Sequence, residues 1–181
     1  MRYRRTAVAG ASYFFTVVTY RRQPLFAEER AAEMLEEAQS SIQHRWPFIL
    51  EAQVVLPDHL HALWTLPEGD LDYPTRWRLI KEHFTRAFAE CHSLPARNAS
   101  RRARGEQTVW QRRYWEHLIK DDRDFTAHLE YIHFNPVRHG LVSAPRDWPN
   151  STFLDWVARG SYDLTWGLQT TPELPDWAGR E

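Results

Sequence analysis

Cysteine is nearly absent from this chain: of 181 residues only Cys91 carries a thiol, so no internal disulfide and no cysteine-based zinc cluster can form. That scarcity suits a reducing compartment, and a cytoplasmic location is expected. Long apolar runs are missing too. The stretch after the basic N-terminus is interrupted by Ser12, Thr16 and Thr19, which excludes the unbroken core of a secretory signal. Nothing approaches the ~20 apolar residues needed to cross a bilayer, so no membrane partner is expected. Net charge is also close to nil, at −1, and gives no overall attraction for a polyanion.

What the average hides is segregation. Residues 1–22 hold Arg2, Arg4, Arg5, Arg21 and Arg22 with no acid, and residues 97–113 hold Arg97, Arg101, Arg102, Arg104, Arg112 and Arg113 against Glu106 alone. Local basic patches of this kind supply phosphate contacts whatever the total charge. Aromatic residues make up 14% of the chain, a surplus that serves both a core and the stacking of exposed bases. The length fits one domain: a body over residues 1–150 and a C-terminal extension, 151–181, packed on it or trailing from it.

Hydrophobic patterning orders the elements. Residues 11–20 are dense in β-branched and aromatic types and predict a strand, residues 27–44 an amphipathic helix, and residues 48–56 and 59–66 two strands. Pro57 and Asp58 turn between those two strands, which makes them a hairpin and gives Asp58 a turn-forming role. A second helix is expected over 74–91, a mobile Arg-rich loop over 94–107, and a strand in the second half of 109–119. A third helix follows from about 123, capped by Asp121 or Asp122, and should end or bend at Pro136. A short helix is possible within 151–158. Strand, helix, hairpin, helix, strand, helix suits an α+β layer: an antiparallel sheet with helices packed on one face.

Two constellations carry chemistry. Side chains alternate along a strand, so His59 and His61 share a face and offer two imidazoles to one divalent metal. Tyr131 and Asn135 stand four apart on a predicted helix and also project together. A phenol is protonated at neutral pH, and attack on phosphorus requires its deprotonation and neutralisation of the phosphodiester. His59, His61 and the Asn135 side-chain oxygen would make a mixed nitrogen and oxygen set suited to Mg²⁺ or Mn²⁺. Taken singly, Tyr131 is more often a packing residue than a nucleophile, and the two histidines are more often ordinary surface or packed residues than ligands. His44, His83, His92, His128, His133 and His139 read as structural or surface residues, and His133 should face away from Tyr131.

These phrases form a resemblance. His59-Leu60-His61 matches the His-hydrophobic-His motif of HUH endonucleases. Val-Trp-Gln-Arg-Arg-Tyr-Trp-Glu-His (109–117) and Tyr-Ile-His-Phe-Asn-Pro-Val-Arg-His-Gly-Leu-Val (131–142) resemble the REP-associated tyrosine transposases of the single-tyrosine superfamily. The likeness runs from about Gly10 to Gly167. It implies a ferredoxin-like fold, an HUH-type catalytic domain, Tyr131 as nucleophile, His59 and His61 as metal ligands and Asn135 as the third. It further implies a single-stranded DNA substrate bearing a REP-like hairpin, nicked and rejoined through a 5′-phosphotyrosine, and nucleoid association by a monomer or homodimer. Arg4, Arg5, Arg21, Arg22, Arg101, Arg102, Arg104, Arg112 and Arg113 are the expected DNA contacts. Relatives often carry a Gly pair where this chain has Ala9-Gly10-Ala11, and Tyr-Ser-Ser where it has Asn150-Ser151-Thr152, so both places are candidate DNA contacts. The rival reading is a non-catalytic hairpin-binding or regulatory protein on the same scaffold; an unrelated small-molecule metalloenzyme would leave the arginine clusters unexplained.

Overall fold

Period-two alternation of large side chains builds the centre of the molecule. In the computed structural model, which describes residues 8–168 and Pro172, four strands form one antiparallel sheet: β1 (Ser12–Val18), β2 (Ile49–Leu56), β3 (His59–Thr65) and β4 (Trp115–Leu118), in the order β2-β3-β1-β4. Arg4 and Arg5 lie outside the described residues. Helices α1 (Glu29–Arg45) and α2 (Tyr73–Cys91) connect β1 to β2 and β3 to β4, which gives the ferredoxin-like βαββαβ arrangement.

The register sorts residues between two faces. Tyr13, Phe15 and Val17 of β1 and Leu60, Ala62 and Trp64 of β3 point to one side, where α1 adds Leu35 and Ile42 and α2 adds Trp77, Ile80 and Phe84. Two helices packed on a single face agree with the expected layer. The opposite face is covered as well. Phe14, Val54, Leu56 and Leu63 point there and are buried by Leu129, Tyr131 and Ile132 of α4 (Asp122–Arg138). Beyond it, α5 (Phe153–Ala158) brings Trp156 to the same cluster.

Local chemistry sets the ends of these helices. Asp72 accepts from the Thr75 backbone N–H at the start of α2, and Asp121, rather than Asp122, does so from Asp124 at the start of α4. The helix does not end at Pro136. α4 runs on to Arg138, and His139 N–H still reaches the Asn135 carbonyl at 3.0 Å. Proline removes one intrahelical bond, and the continuous burial of residues 131–136 holds the turn on either side.

The Arg-rich segment is also more ordered than its composition suggested. It contains a one-turn helix, α3 (Ala99–Ala103), whose Asn98 side chain accepts from Arg101 N–H at 2.9 Å. Among the described residues, no helix is long and apolar enough to cross a membrane.

Candidate functional site

β3 is an inner strand, so both of its histidines are held by neighbours across the sheet. Thr16 sits directly opposite His61 in the register, and its hydroxyl meets His61 Nδ1 at 3.0 Å. His59 Nδ1 meets the Asp58 carboxylate at 2.5 Å, and Arg22 donates to the other Asp58 oxygen at 3.0 Å. Burial alone would raise the Asp58 carboxyl; the hydrogen bonds from His59 and Arg22 outweigh it and hold the group below the usual carboxylate range. With both Nδ1 atoms so engaged, Nε2 is the nitrogen each ring can turn to a ligand. A carboxylate behind a histidine is the arrangement that orients metal-binding imidazoles. Asp58 therefore does more than turn the hairpin, which its place in a Pro-Asp turn concealed.

The two rings stand 5.0 Å apart and lie under α4. One turn separates each pair in the series Tyr131, Asn135 and His139, so all three share a helix face. At one end the Tyr131 ring is 5.2 Å from His61; at the other the His139 ring is 5.4 Å from His59. Asn135 falls between them, fully buried, and among the described residues neither its Oδ1 nor its Nδ2 has a hydrogen-bond partner. An unsatisfied buried amide costs about 1–3 kcal/mol per group, and an asparagine oxygen aimed at a cation site is one reason to retain it. The donor set thus fits a divalent ion held by His59, His61 and Asn135.

His139 is a residue that sequence reasoning left among structural positions; its spacing of eight from Tyr131 was the available signal. Burial, and next the adjacent His59, push its pKa below the ordinary value. Its neighbour His133 does face away, as expected, with Nε2 on the Thr152 hydroxyl at 3.0 Å. Thr152 also accepts from the Gln53 backbone at 2.9 Å, so this member of the Asn150-Ser151-Thr152 candidate DNA contact is committed to the edge of β2.

His117, Asp124 and His128 form a second donor cluster. Their ligand atoms lie within 4.8 Å of one another, enough to hold an ion. Hydrogen bonds already occupy it: His117 Nε2 meets Asp124 at 2.8 Å and His128 Nδ1 meets the Asp124 carbonyl at 2.8 Å. The cluster fastens the first turn of α4 to β4.

The arginines divide into two groups. Arg101 is buried, donates to the carbonyls of Gln107 and Trp110, and lies 4.2 Å over the Tyr20 ring. It orders the loop, and its side chain is not presented to DNA. Arg21, Arg22, Arg102, Arg104, Arg112 and Arg113 are exposed. Arg112 pairs with Glu106 at 2.5 Å. Trp110 bridges Thr19 and Trp115 pairs with Thr16, so Arg112 and Arg113 sit beside the end of β1 that faces His59 and His61. A cleft of about 970 Å³ opens between α2 and the segment ending at Arg112, lined by Arg78, Lys81, Arg86, Arg104, Trp110 and Arg112 with Glu82, Glu90 and Glu106 among them. Burial pushes the Lys81 ammonium down to about 8, with Arg101 adding to the effect. Such a basic cleft with an aromatic wall suits a nucleic-acid backbone.

No family model matches the chain. It is 42% identical over 170 residues to a REP-associated tyrosine transposase of Escherichia coli K12, covering 93% of this chain and 92% of that one. It is 40% identical over 166 residues to a putative REP-associated tyrosine transposase of Haemophilus influenzae, covering 91% and 92%. A solved structure of a REP-associated tyrosine transposase bound to a REP hairpin superimposes with a TM-score of 0.78 at 38% identity, over 96% of this chain and 94% of that one. Likeness at this level across nearly the whole length decides the assignment: the chain belongs to the REP-associated tyrosine transposases, HUH enzymes of the single-tyrosine superfamily.

Proposed function

We propose that the protein nicks and rejoins single-stranded DNA bearing REP-like hairpins, with Tyr131 as nucleophile and His59, His61 and Asn135 holding Mg²⁺ or Mn²⁺. The observation that supports this most directly is the buried Asn135 amide, unpartnered among the described residues and set between Tyr131 and His139 on the helix face above the two imidazoles. When bound, the ion would neutralise charge on the scissile phosphate and stabilise the departing oxygen. The protein's own part is to aim and to shield. α4 holds the phenol in a fully buried position, and Asp58 and Thr16 fix the imidazole planes. The Tyr131 oxygen forms a bond to phosphorus as the bond to the 3′ oxygen breaks, leaving a 5′-phosphotyrosine and a 3′-hydroxyl. Strand transfer reverses that exchange at another 3′ end, at little net energy change.

Tyr131 approaches His61 of its own chain, which supports catalysis within one subunit and a monomer as the working unit. Arg21, Arg22, Arg102, Arg104, Arg112 and Arg113 would track the backbone, residues 1–150 would form the catalytic domain and residues 151–181 its C-terminal extension. Action on DNA would bring the protein to the nucleoid.

Incubation with a hairpin oligonucleotide drawn from repeats flanking the coding region tests this reading. A covalent adduct should form in Mg²⁺ or Mn²⁺, vanish with chelator and be absent in Tyr131→Phe, with hairpin affinity kept. The complete burial of Tyr131 favours the second reading, a hairpin binder without catalysis. Binding that survives chelation with no adduct under any metal would decide for it.

A further inference from the structure

The groups assigned so far aim the nucleophile and hold a metal, but no side chain has yet been given the negative charge of the phosphodiester. Arg138, the last residue of α4, is placed to take it. Its Nη1 donates to the Tyr131 phenol oxygen at 3.2 Å, and its guanidinium carbon lies 5.6 Å from the centre of that ring. The two residues differ in one decisive respect: Tyr131 is fully buried, whereas Arg138 is exposed. A phosphodiester arriving from solvent therefore meets this guanidinium first, beside the phenol it contacts.

We propose that Arg138 is a catalytic residue that binds a non-bridging oxygen of the scissile phosphodiester and sets it against the Tyr131 hydroxyl. This rests on the nicking activity proposed above. A guanidinium carries five N–H donors in a planar fork, a geometry that can hold a phenol oxygen and a phosphate oxygen on the same cation. In the step itself the Tyr131 oxygen–phosphorus bond forms and the phosphorus–3′ oxygen bond breaks. The phenol proton passes to solvent, and the 3′ oxygen leaves as a hydroxyl after taking a proton from solvent. One phosphodiester becomes another, so net charge is unchanged, but negative charge gathers on the non-bridging oxygens in the transition state. A cation already in place there acts on that charge. The same contact would serve the reverse attack during strand transfer.

The test uses the full chain and a hairpin oligonucleotide whose wild-type cleavage position has been mapped, prepared with an ordinary phosphodiester or a single methylphosphonate at that linkage. The methylphosphonate lacks the negative charge Arg138 would meet. On the phosphodiester at saturating DNA, Arg138→Ala should slow single-turnover adduct formation by about 100-fold, the usual effect of losing one transition-state donor, with affinity little changed. Arg138→Lys should recover part of the rate. On the methylphosphonate, wild type and Arg138→Ala should react alike. An equal loss on both substrates would mean that Arg138 merely packs against the ring, and the proposal falls. If wild type forms no adduct with any hairpin, the nicking reading itself fails and takes this one with it.

Discussion

The two faces of the sheet are built from alternate residues of the same strands, yet one stores stability and the other chemistry. On the α1 and α2 side, Trp64 stacks on Trp77 at 4.2 Å with planes 13° apart, Phe48 lies 4.1 Å from Trp64, and the surrounding side chains are apolar. On the α4 side the strands bury Thr16, His59 and His61 beneath Tyr131 and Asn135. Dry apolar packing stabilises the first face in proportion to the area it hides. Polar burial on the second works against folding and persists because neighbouring groups, Asp58 and Thr16 among them, hold those side chains in set positions.

Substitutions should therefore separate the faces. The largest effect is expected from His61→Ala: adduct formation should drop below detection while urea unfolding stays cooperative, and surviving cleavage would remove His61 from the metal site. Trp77→Ala strikes the other face and should cost roughly 3–5 kcal/mol in urea denaturation. A loss below about 1 kcal/mol would mean that the aromatic stack contributes far less than its burial implies.

Asp58→Asn sharpens the comparison within the second face. It keeps the turn but weakens the hold on His59, and should reduce metal-supported adduct formation by roughly 10–100-fold with little change in melting. An unchanged rate would return Asp58 to the role of turn former.

The smallest effect is one of pH. Burial pushes the His128 imidazole down to about 4 from its ordinary 6.5. Between those values the unfolded chain takes up a proton there and the folded chain does not. Stability contributed by neutral His128 is thus complete above pH 6.5 and is lost as pH falls toward 4. Melting temperature should decline across that window in wild type and less steeply in His128→Asn; identical slopes would show that other groups set the acid limit.

Legibility in the sequence followed the range of the interaction responsible. The alternation in β1 and β3 and the 3.6-residue stripe of α1 are local patterns, so those elements and the shared face of His59 and His61 could be read directly. Tyr131 and Asn135 were legible for the same reason. The course of α4 through Pro136 was not, because it depends on burial of residues 131–136 by distant partners. Arg101 misled in a similar way: arginine in a polar stretch suggests a solvated loop, whereas here the guanidinium lies on Tyr20 and ties carbonyls together.

By itself the sequence determined the periodicities, and through them which residues share a strand face or a helix face. Only the tertiary structure decided that α4 would cover the face carrying both histidines, bringing His139 to His59, Asp58 behind that ring and Arg138 onto the phenol. The physical reason is distance along the chain. Periodicity is fixed by backbone geometry within a few residues, but the meeting of β3 with a helix some seventy positions later depends on which apolar surfaces remain to be buried.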